Sequence, residues 1–457
     1  MNLQVIILAA GKGTRMRSSL PKVLHEIANT PLIEHVICTA KSLNPKKIIG
    51  VFGHGGDAVP RQMSKHDVCW VEQAEQLGTG HAVKQGMKEI DNDAMVLVLY
   101  GDVPLTTTET LSSLLSVASH SDTSIGLLTA RLHNPTGYGR VVRNGTGIVQ
   151  RIVEQKDASD TEKKINEVNT GILVAPAKEL KTWLSGLSNK NAQGEYYLTD
   201  IFEMAAQCGF TVQTITSNAL WEVEGVNNKR QLASLERQHQ RLIADRLMEQ
   251  GVTLMDPARI DVRGALTVGN DCLIDINSLF IGDVSLGDGV QVGANSIIKN
   301  SKIGAGVRIS PNSIIENATI GDDCEIGPFA RIRPDTVLAN KVKVGNFVEI
   351  KKSNIDTGSK ISHLSYVGDT KMGANVNVGA GTITCNYDGV NKSLTEIGDN
   401  VFIGSDTQLI APVKIGNGAT IGAGSTISKN APSAELTLSR PKQLTIKGWQ
   451  RPAKKIK

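Results

Sequence analysis

The stretch LGDGVQVGANSIIKNSKIGAGVRI, residues 286–309, decides the fold of the second half of the chain. Aliphatic residues, often followed by Gly, recur every six positions: Leu286, Val292, Ile298. After a step of five the phase resumes as Ile303, Ile309 and Ile315, then Ile320, Ile326, Ile332, Leu338, Val344 and Ile350. Beyond Gly389 it returns as Ile397, Ile403, Leu409, Ile415, Ile421 and Ile427. A six-residue period marks a parallel β-helix, in which each hexad is one short face and three make a coil. The aliphatic residue is expected inside, and the Gly after it is expected to turn a tight corner. One coil buries too little apolar surface to stand alone, so coils must stack. A β-sandwich with short strands would lack so strict a period.

The rest of the composition fits one class of protein. A chain of 457 residues predicts two or three domains, and 40% hydrophobic with 21% charged residues is a globular balance. A net charge of +4 over that length does not suggest a nucleic-acid partner. The six cysteines form no C-x-x-C pair, which argues against zinc and a disulfide framework and fits a reducing, cytoplasmic setting. No apolar run approaches the ~20 residues of a membrane span, and the first residues lead into a strand without the marks of a signal peptide.

Toward the N-terminus, Val5-Ile6-Ile7-Leu8 reads as a buried parallel strand running into Ala9-Ala10-Gly11-Lys12-Gly13-Thr14-Arg15-Met16. Small residues let backbone N–H groups approach an anion, and Arg15 adds charge. The loop matches neither the Walker pattern nor the dinucleotide fingerprint, because Gly13 follows Lys12 and Met16 stands where a third Gly is needed. By itself it is equally a plain tight turn. Further strands, at 47–51, 69–71 and 95–100, alternate with helical segments and predict a doubly wound α/β sheet with ligands at the strands' carboxyl ends. Asp102 sits at such an end, where an Asp is either a turn or cap residue or a hard oxygen ligand. Glu154 and Asn169 lie in strand-like runs and read either as site residues or as edge-strand surface.

The loop together with Leu20-Pro21-Lys22 resembles the signature of sugar-1-phosphate nucleotidyltransferases. Over essentially the whole chain, the order of motifs resembles the bifunctional N-acetylglucosamine-1-phosphate uridyltransferase / glucosamine-1-phosphate N-acetyltransferase family. That resemblance implies a Rossmann-like nucleotidyltransferase domain over residues 1–227, a linker helix over 228–250, and a left-handed β-helix acetyltransferase domain with a basic tail over 251–457. It implies two reactions: acetylation of glucosamine-1-phosphate by acetyl-CoA, then uridyl transfer from UTP with release of pyrophosphate. The product, UDP-N-acetylglucosamine, would feed peptidoglycan and lipopolysaccharide precursors.

Residue by residue, the resemblance places the nucleotide against Leu8, Ala9, Ala10, Gly11, Arg15, Gln73, Gly78, Thr79, Tyr100, Gly101 and Asp102, with Lys22 on phosphate. It gives the amino sugar to Gly137, Glu154 and Asn169, and Mg²⁺ to Asp102 and Asn227. The polar stretch 228–250, with a thin apolar stripe and Gly251 as its C-cap, is expected as a helical arm between two active units.

Within the repeat, bulky polar residues interrupt the hexads, and the period breaks at 385–392, an insertion of the kind that forms loops at binding faces. His363 alone would read as a solvated corner. Tyr366 and a cationic, amide-rich neighbourhood give it company, and Glu349 and Tyr366, one coil apart, should stack. The resemblance implies that His363 is the general base, that Arg333 and Lys351 hold the sugar phosphate, and that Tyr366 and Asn377 orient the sugar. Ala380, Asn386, Tyr387, Ser405, Ala423 and Arg440 would line acetyl-CoA, with Lys392 reaching a neighbouring chain's sugar site. It also implies a homotrimer with acetyltransferase sites between subunits. The rival reading is a one-site nucleotidyltransferase whose rod is structural or regulatory.

Overall fold

A computed structural model of the chain describes residues 2–11 and 13–454; Lys12 of the Gly-rich loop and the end of the basic tail lie outside it. Two compact units divide between His239 and Gln240.

The first unit is built on nine strands: β1 (Leu3–Leu8), β2 (Lys47–Phe52), β3 (Cys69–Glu72), β4 (Met95–Tyr100), β5 (Ser124–Arg131), β6 (Arg140–Arg143), β7 (Val149–Val153), β8 (Glu167–Pro176) and β9 (Thr211–Ser217). Their order is β9-β5-β8-β4-β1-β2-β3, with the β6–β7 hairpin attached to β8. β1 is parallel to both β2 and β4, and every residue in it is buried, as a central strand covered on both faces requires. The expected doubly wound parallel core is therefore β4-β1-β2-β3. β8 runs antiparallel to β4 and β5, so the whole sheet is mixed. The parallel strands end together at Leu8, Phe52, Glu72 and Tyr100, and the loops leaving them carry the Gly-rich stretch, Gln73 and Asp102.

The polar helix, α1 (Lys229–Glu249), forms where the composition predicts it. Its apolar residues are not one free stripe. Leu235 is buried with Met16, Ile27 and Leu32 of the first unit, while Ala244 and Leu247 belong to the core of the second. Gly251 follows it at φ +91°, a left-handed conformation that favours Gly at a helix C-terminus.

The second unit is a stack of parallel coils. Ile298 pairs with Ile315, Ile315 with Ile332, Ile332 with Ile350 and Ile350 with Val367, steps of 17 or 18 residues. The other two faces repeat this, with Val292, Ile309, Ile326, Val344, Ile361 and Val378 in one inward row and Ile303, Ile320, Leu338, Ile355, Met372 and Ile397 in the next. The ladder begins earlier than the hexad pattern, at Thr253–Leu254 and Ile260–Val268. There the chain bends within nine-residue strands at Gly264 and Gly282, so two faces run as one strand and the six-residue mark is blurred.

The glycines that follow the inward aliphatics do a different job from the one expected. Apart from Gly327, at φ +94°, they do not hold the left-handed corner; that falls two residues later, on Gly289, Asn295, Gly306, Asp323, Phe347 and Asn400. They are small because the next coil lies against them. A Cβ on Gly345 would sit 2.0 Å from the Ser362 carbonyl oxygen, and one on Gly404 would sit 2.4 Å from the Ala423 amide. Gly345→Ala is therefore expected to destabilise the coil stack by roughly 1–3 kcal/mol, the range for overpacking a tight site. Gly145→Ala, with open space around it and no left-handed φ, should leave thermal unfolding nearly unchanged. Melting curves of the two variants check the contrast.

Candidate active sites

At the carboxyl ends of β1, β3 and β4 a cavity of about 430 Å³ opens. Leu8, Ala9, Ala10, Gly11, Lys22, Gln73, Gly78, Thr79, Tyr100 and Asp102 all line it, together with Gln76 and Glu195, which pattern reasoning did not single out. Gly101 lies beneath, its amide donating to the Leu8 carbonyl at 2.9 Å. Lys22 places its ammonium against the Asp102 carboxylate, and 3.2 Å from Asn227 Oδ1. Arg15 donates to the same Asn227 oxygen at 3.1 Å. Two cations and two oxygen ligands thus converge on one point at the mouth of the Gly-rich loop.

Of the residues expected to hold the amino sugar, Glu154 and Asn169 form a second cluster, while the Gly137 amide donates to Gln155 Oε1 at 3.2 Å. The Asn169 amide donates to the Gly139 carbonyl at 2.9 Å, and Gly139 packs against the Glu154 carboxylate. Thr199 donates to Glu154 Oε1 at 3.1 Å. Burial pushes the Glu154 carboxyl above its ordinary range, with Asp200, Asp157 and Glu195 adding in the same direction. Burial also raises the Tyr100 hydroxyl, with Glu154 and Asp102 adding in the same direction.

An acid raised in the folded state binds its proton more tightly than in the unfolded chain. Its charge therefore costs stability at pH values above the folded pKa, and the cost disappears below the unfolded value near 4. Glu154→Gln should raise the unfolding temperature at pH 7–8, with the gain vanishing toward pH 4. Loss of the gain's pH dependence in parallel melts would contradict this electrostatic account.

On the rod, His363 ends the strand Lys360–His363 and stands exposed at a corner. Asn346 pairs with it one coil below, and His363 Nδ1 lies 3.0 Å from Asn346 Oδ1. With Nδ1–H donating to that oxygen, Nε2 keeps its lone pair. Asn346 was not singled out from sequence, although its position 17 residues before His363 is the signal that finds it.

The face next to this corner stacks Glu349 on Tyr366, as the spacing predicts, and Lys351 on Gly368. Arg333 pairs with Glu349 at 2.6 Å. Lys392, from the insertion, lies beside Lys351, and this contact lowers the Lys351 pKa, with Arg333 adding to the effect. Arg333, Lys351 and Lys392 are therefore a cationic cluster within one chain. Asn377 lies on the adjoining face, so it and Tyr366 flank the His363 corner.

Four of the six positions assigned to acetyl-CoA, Ala380, Ser405, Ala423 and Arg440, form a line. The Gly381 amide donates to the His363 carbonyl at 3.4 Å, the Asp406 amide to Ala380 at 2.7 Å, and the Gly424 amide to Ser405 at 2.8 Å. Ala380, Ser405 and Ala423 thus climb one corner, coil by coil, from His363, and Arg440 lies against Gly422 and Gly424 at its top. Asn386 and Tyr387 do not join this line. They leave the far end of the strand Ile383–Cys385, where Asn386 donates to Asp369 at 2.5 Å. The insertion lengthens this coil, so that Thr370 pairs with Thr395.

Three family models match the chain: the MobA-like NTP transferase domain over residues 5–154, the GMPPB C-terminal domain over 262–371, and the bacterial transferase hexapeptide, six repeats, over 394–429. A bifunctional protein GlmU from Ralstonia nicotianae is 56% identical over 455 residues, covering 100% of both chains. Another from Thiobacillus denitrificans is 58% identical over 452 residues, covering 99% of this chain and 98% of its own. The chain belongs to the bifunctional GlmU family. As in that family, it is an enzyme with two transferase activities, uridyl transfer and acetyl transfer. Among the described residues no helix is long and apolar enough to cross a membrane.

If Asn346 fixes the His363 tautomer, Asn346→Ala should lower acetyl transfer by about tenfold, the loss of one orienting hydrogen bond, and Asn346→Asp should restore much of it. Thiol release from acetyl-CoA measures both.

Proposed function

We propose that the rod acetylates glucosamine-1-phosphate from acetyl-CoA and that the first unit then joins the product to UTP, making UDP-N-acetylglucosamine for bacterial envelope precursors. The observation that carries the acetyl half is the His363–Asn346 pair at the foot of the Ala380–Ser405–Ala423 line, beside the Arg333–Lys351–Lys392 cluster. The cations take the sugar phosphate, and Tyr366 and Asn377 orient the sugar. The amine attacks the thioester carbonyl carbon, a C–N bond forms and the C–S bond breaks. His363 Nε2 accepts the amine proton and passes it to the departing sulfur, so that coenzyme A leaves as its thiol and the imidazole is neutral again. No cysteine adjoins His363, which favours direct transfer over an acyl-enzyme.

In the first unit Gln73 and Gly78 read the base, Glu154 and Asn169 hold the acetamido sugar, and Lys22 and Arg15 meet the phosphates. The sugar phosphate attacks the α-phosphorus and pyrophosphate departs. Among the described residues no cluster of three or more His, Cys, Asp or Glu stands ready for a metal. Asp102 and Asn227 nevertheless offer two oxygens to the Lys22 ammonium, and that donor pair fits Mg²⁺, which takes its other ligands from water and phosphate. Held there, Mg²⁺ would neutralise charge developing on the phosphates.

The assembly we propose is a homotrimer with the acetyl site shared between rods. In support, Asn386 and Tyr387 sit at the opposite end of a face from His363. Phe329, Phe347 and Leu364, in three successive coils along the His363 corner, are 50%, 56% and 61% exposed. An adjoining rod would cover that column and bring its own insertion to the corner. A cytoplasmic location fits the six free cysteines.

His363→Ala should reduce acetyl transfer by about 10²–10⁴-fold and spare uridyl transfer. Asp102→Ala should do the reverse. Both activities are read on one preparation, as thiol release and as pyrophosphate release. A folded single variant lacking both would overturn the assignment of separate sites.

A further inference from the structure

We propose that His81 sets the base selectivity of the uridyl site by holding the Gln73 amide in one orientation. This rests on the reading of the first unit as a UTP site. Gln73 is 3% exposed and lines the cavity. Its Nε2 lies 3.2 Å from the Gly78 carbonyl oxygen and 3.1 Å from His81 Nδ1.

A carbonyl oxygen only accepts, so the Gln73 atom facing Gly78 must be the NH₂ group. Its second hydrogen then goes to His81 Nδ1, which must carry a lone pair. The His81 proton is therefore on Nε2, 2.8 Å from Gln85. As placed, Gln85 presents its Nε2 to the ring and its Oε1 to the exposed Lys88 ammonium at 2.6 Å; the Nε2–H tautomer requires the Gln85 amide turned by half a rotation, so that Oε1 accepts from the ring. With both amide hydrogens engaged behind it, Gln73 has only its carbonyl Oε1 left for a ligand.

An acceptor at the cavity wall suits uracil, whose N3–H donates. Cytosine presents a lone pair at N3 and would face the Oε1 lone pairs. Without the imidazole only the Gly78 carbonyl still opposes a turn of the Gln73 amide, so the NH₂ group meets cytosine at a lower cost. Sites that hydrogen-bond a ligand discriminate strongly because the wrong partner leaves a buried polar group unmet. His81 touches neither base nor phosphate in this account; it is a positioning residue.

The test compares the UTP-to-CTP ratio of kcat/KM, with N-acetylglucosamine-1-phosphate as acceptor and pyrophosphate release as the readout, in the full-length protein. His81→Leu fills the ring's volume without an acceptor and should lower the ratio by about 10–100-fold. The change should lie in the KM for UTP, with the KM for the sugar phosphate unaltered. His81→Asn places an oxygen near the position of Nδ1 and should keep the ratio close to that of the unaltered protein. An unchanged ratio in His81→Leu overturns the proposal, as does an equal fall in both variants, which would assign His81 to packing alone. Should His81→Leu fail to fold, His81→Ala carries the same comparison. An unaltered protein that shows no preference for UTP would instead overturn the uridyl reading itself.

Discussion

Everything on the rod depends on how closely one coil can lie on the next. Parallel coils stacked at 17 or 18 residues satisfy their backbone groups by bonding to the coil above and below, so each turn is bound to its neighbours along its length. That distance leaves no room for a Cβ at Gly345 or Gly404. It also brings residues 17 apart into contact, which is how Asn346 reaches His363 and Glu349 reaches Tyr366. The same spacing that makes the fold makes the site.

In the first unit the constraint is the shared end of the parallel strands. Four strands that point the same way deliver their loops to one edge, where backbone amides are free to meet an anion. The cost of gathering ionisable groups there is visible in Glu154, whose carboxyl is raised by burial and by the acids around it. Such groups cost stability where they are placed for binding. The Lys22–Asp102–Asn227 contact is the counterpart, with opposite charges brought together at the loop that would receive phosphate.

Much of this was legible in the chain's own text. The hexad period named the β-helix because its inward aliphatics and small following residues are forced by geometry, and the unbroken apolar runs of β1 and β4 named buried parallel strands. Other features did not show. The coils before Leu286 lack the mark because two faces run as one bent strand. The glycines after the aliphatics suggest corners, yet their smallness answers to the neighbouring coil, a contact between residues far apart in sequence. Glu195 and Gln76 line the cavity at the strands' carboxyl ends without any local pattern to announce them.

By itself, then, the sequence determined the period, the strand types, the loop chemistry and, through motif order, the family. Only the tertiary structure decided which side chains share a hydrogen bond: His363 with Asn346, Gln73 with His81, Lys351 beside Lys392. The reason is physical. Periodicity and composition follow from the local geometry of strand and turn, whereas tautomers, amide orientations and charge clusters depend on distances of about 3 Å between groups that only packing brings together.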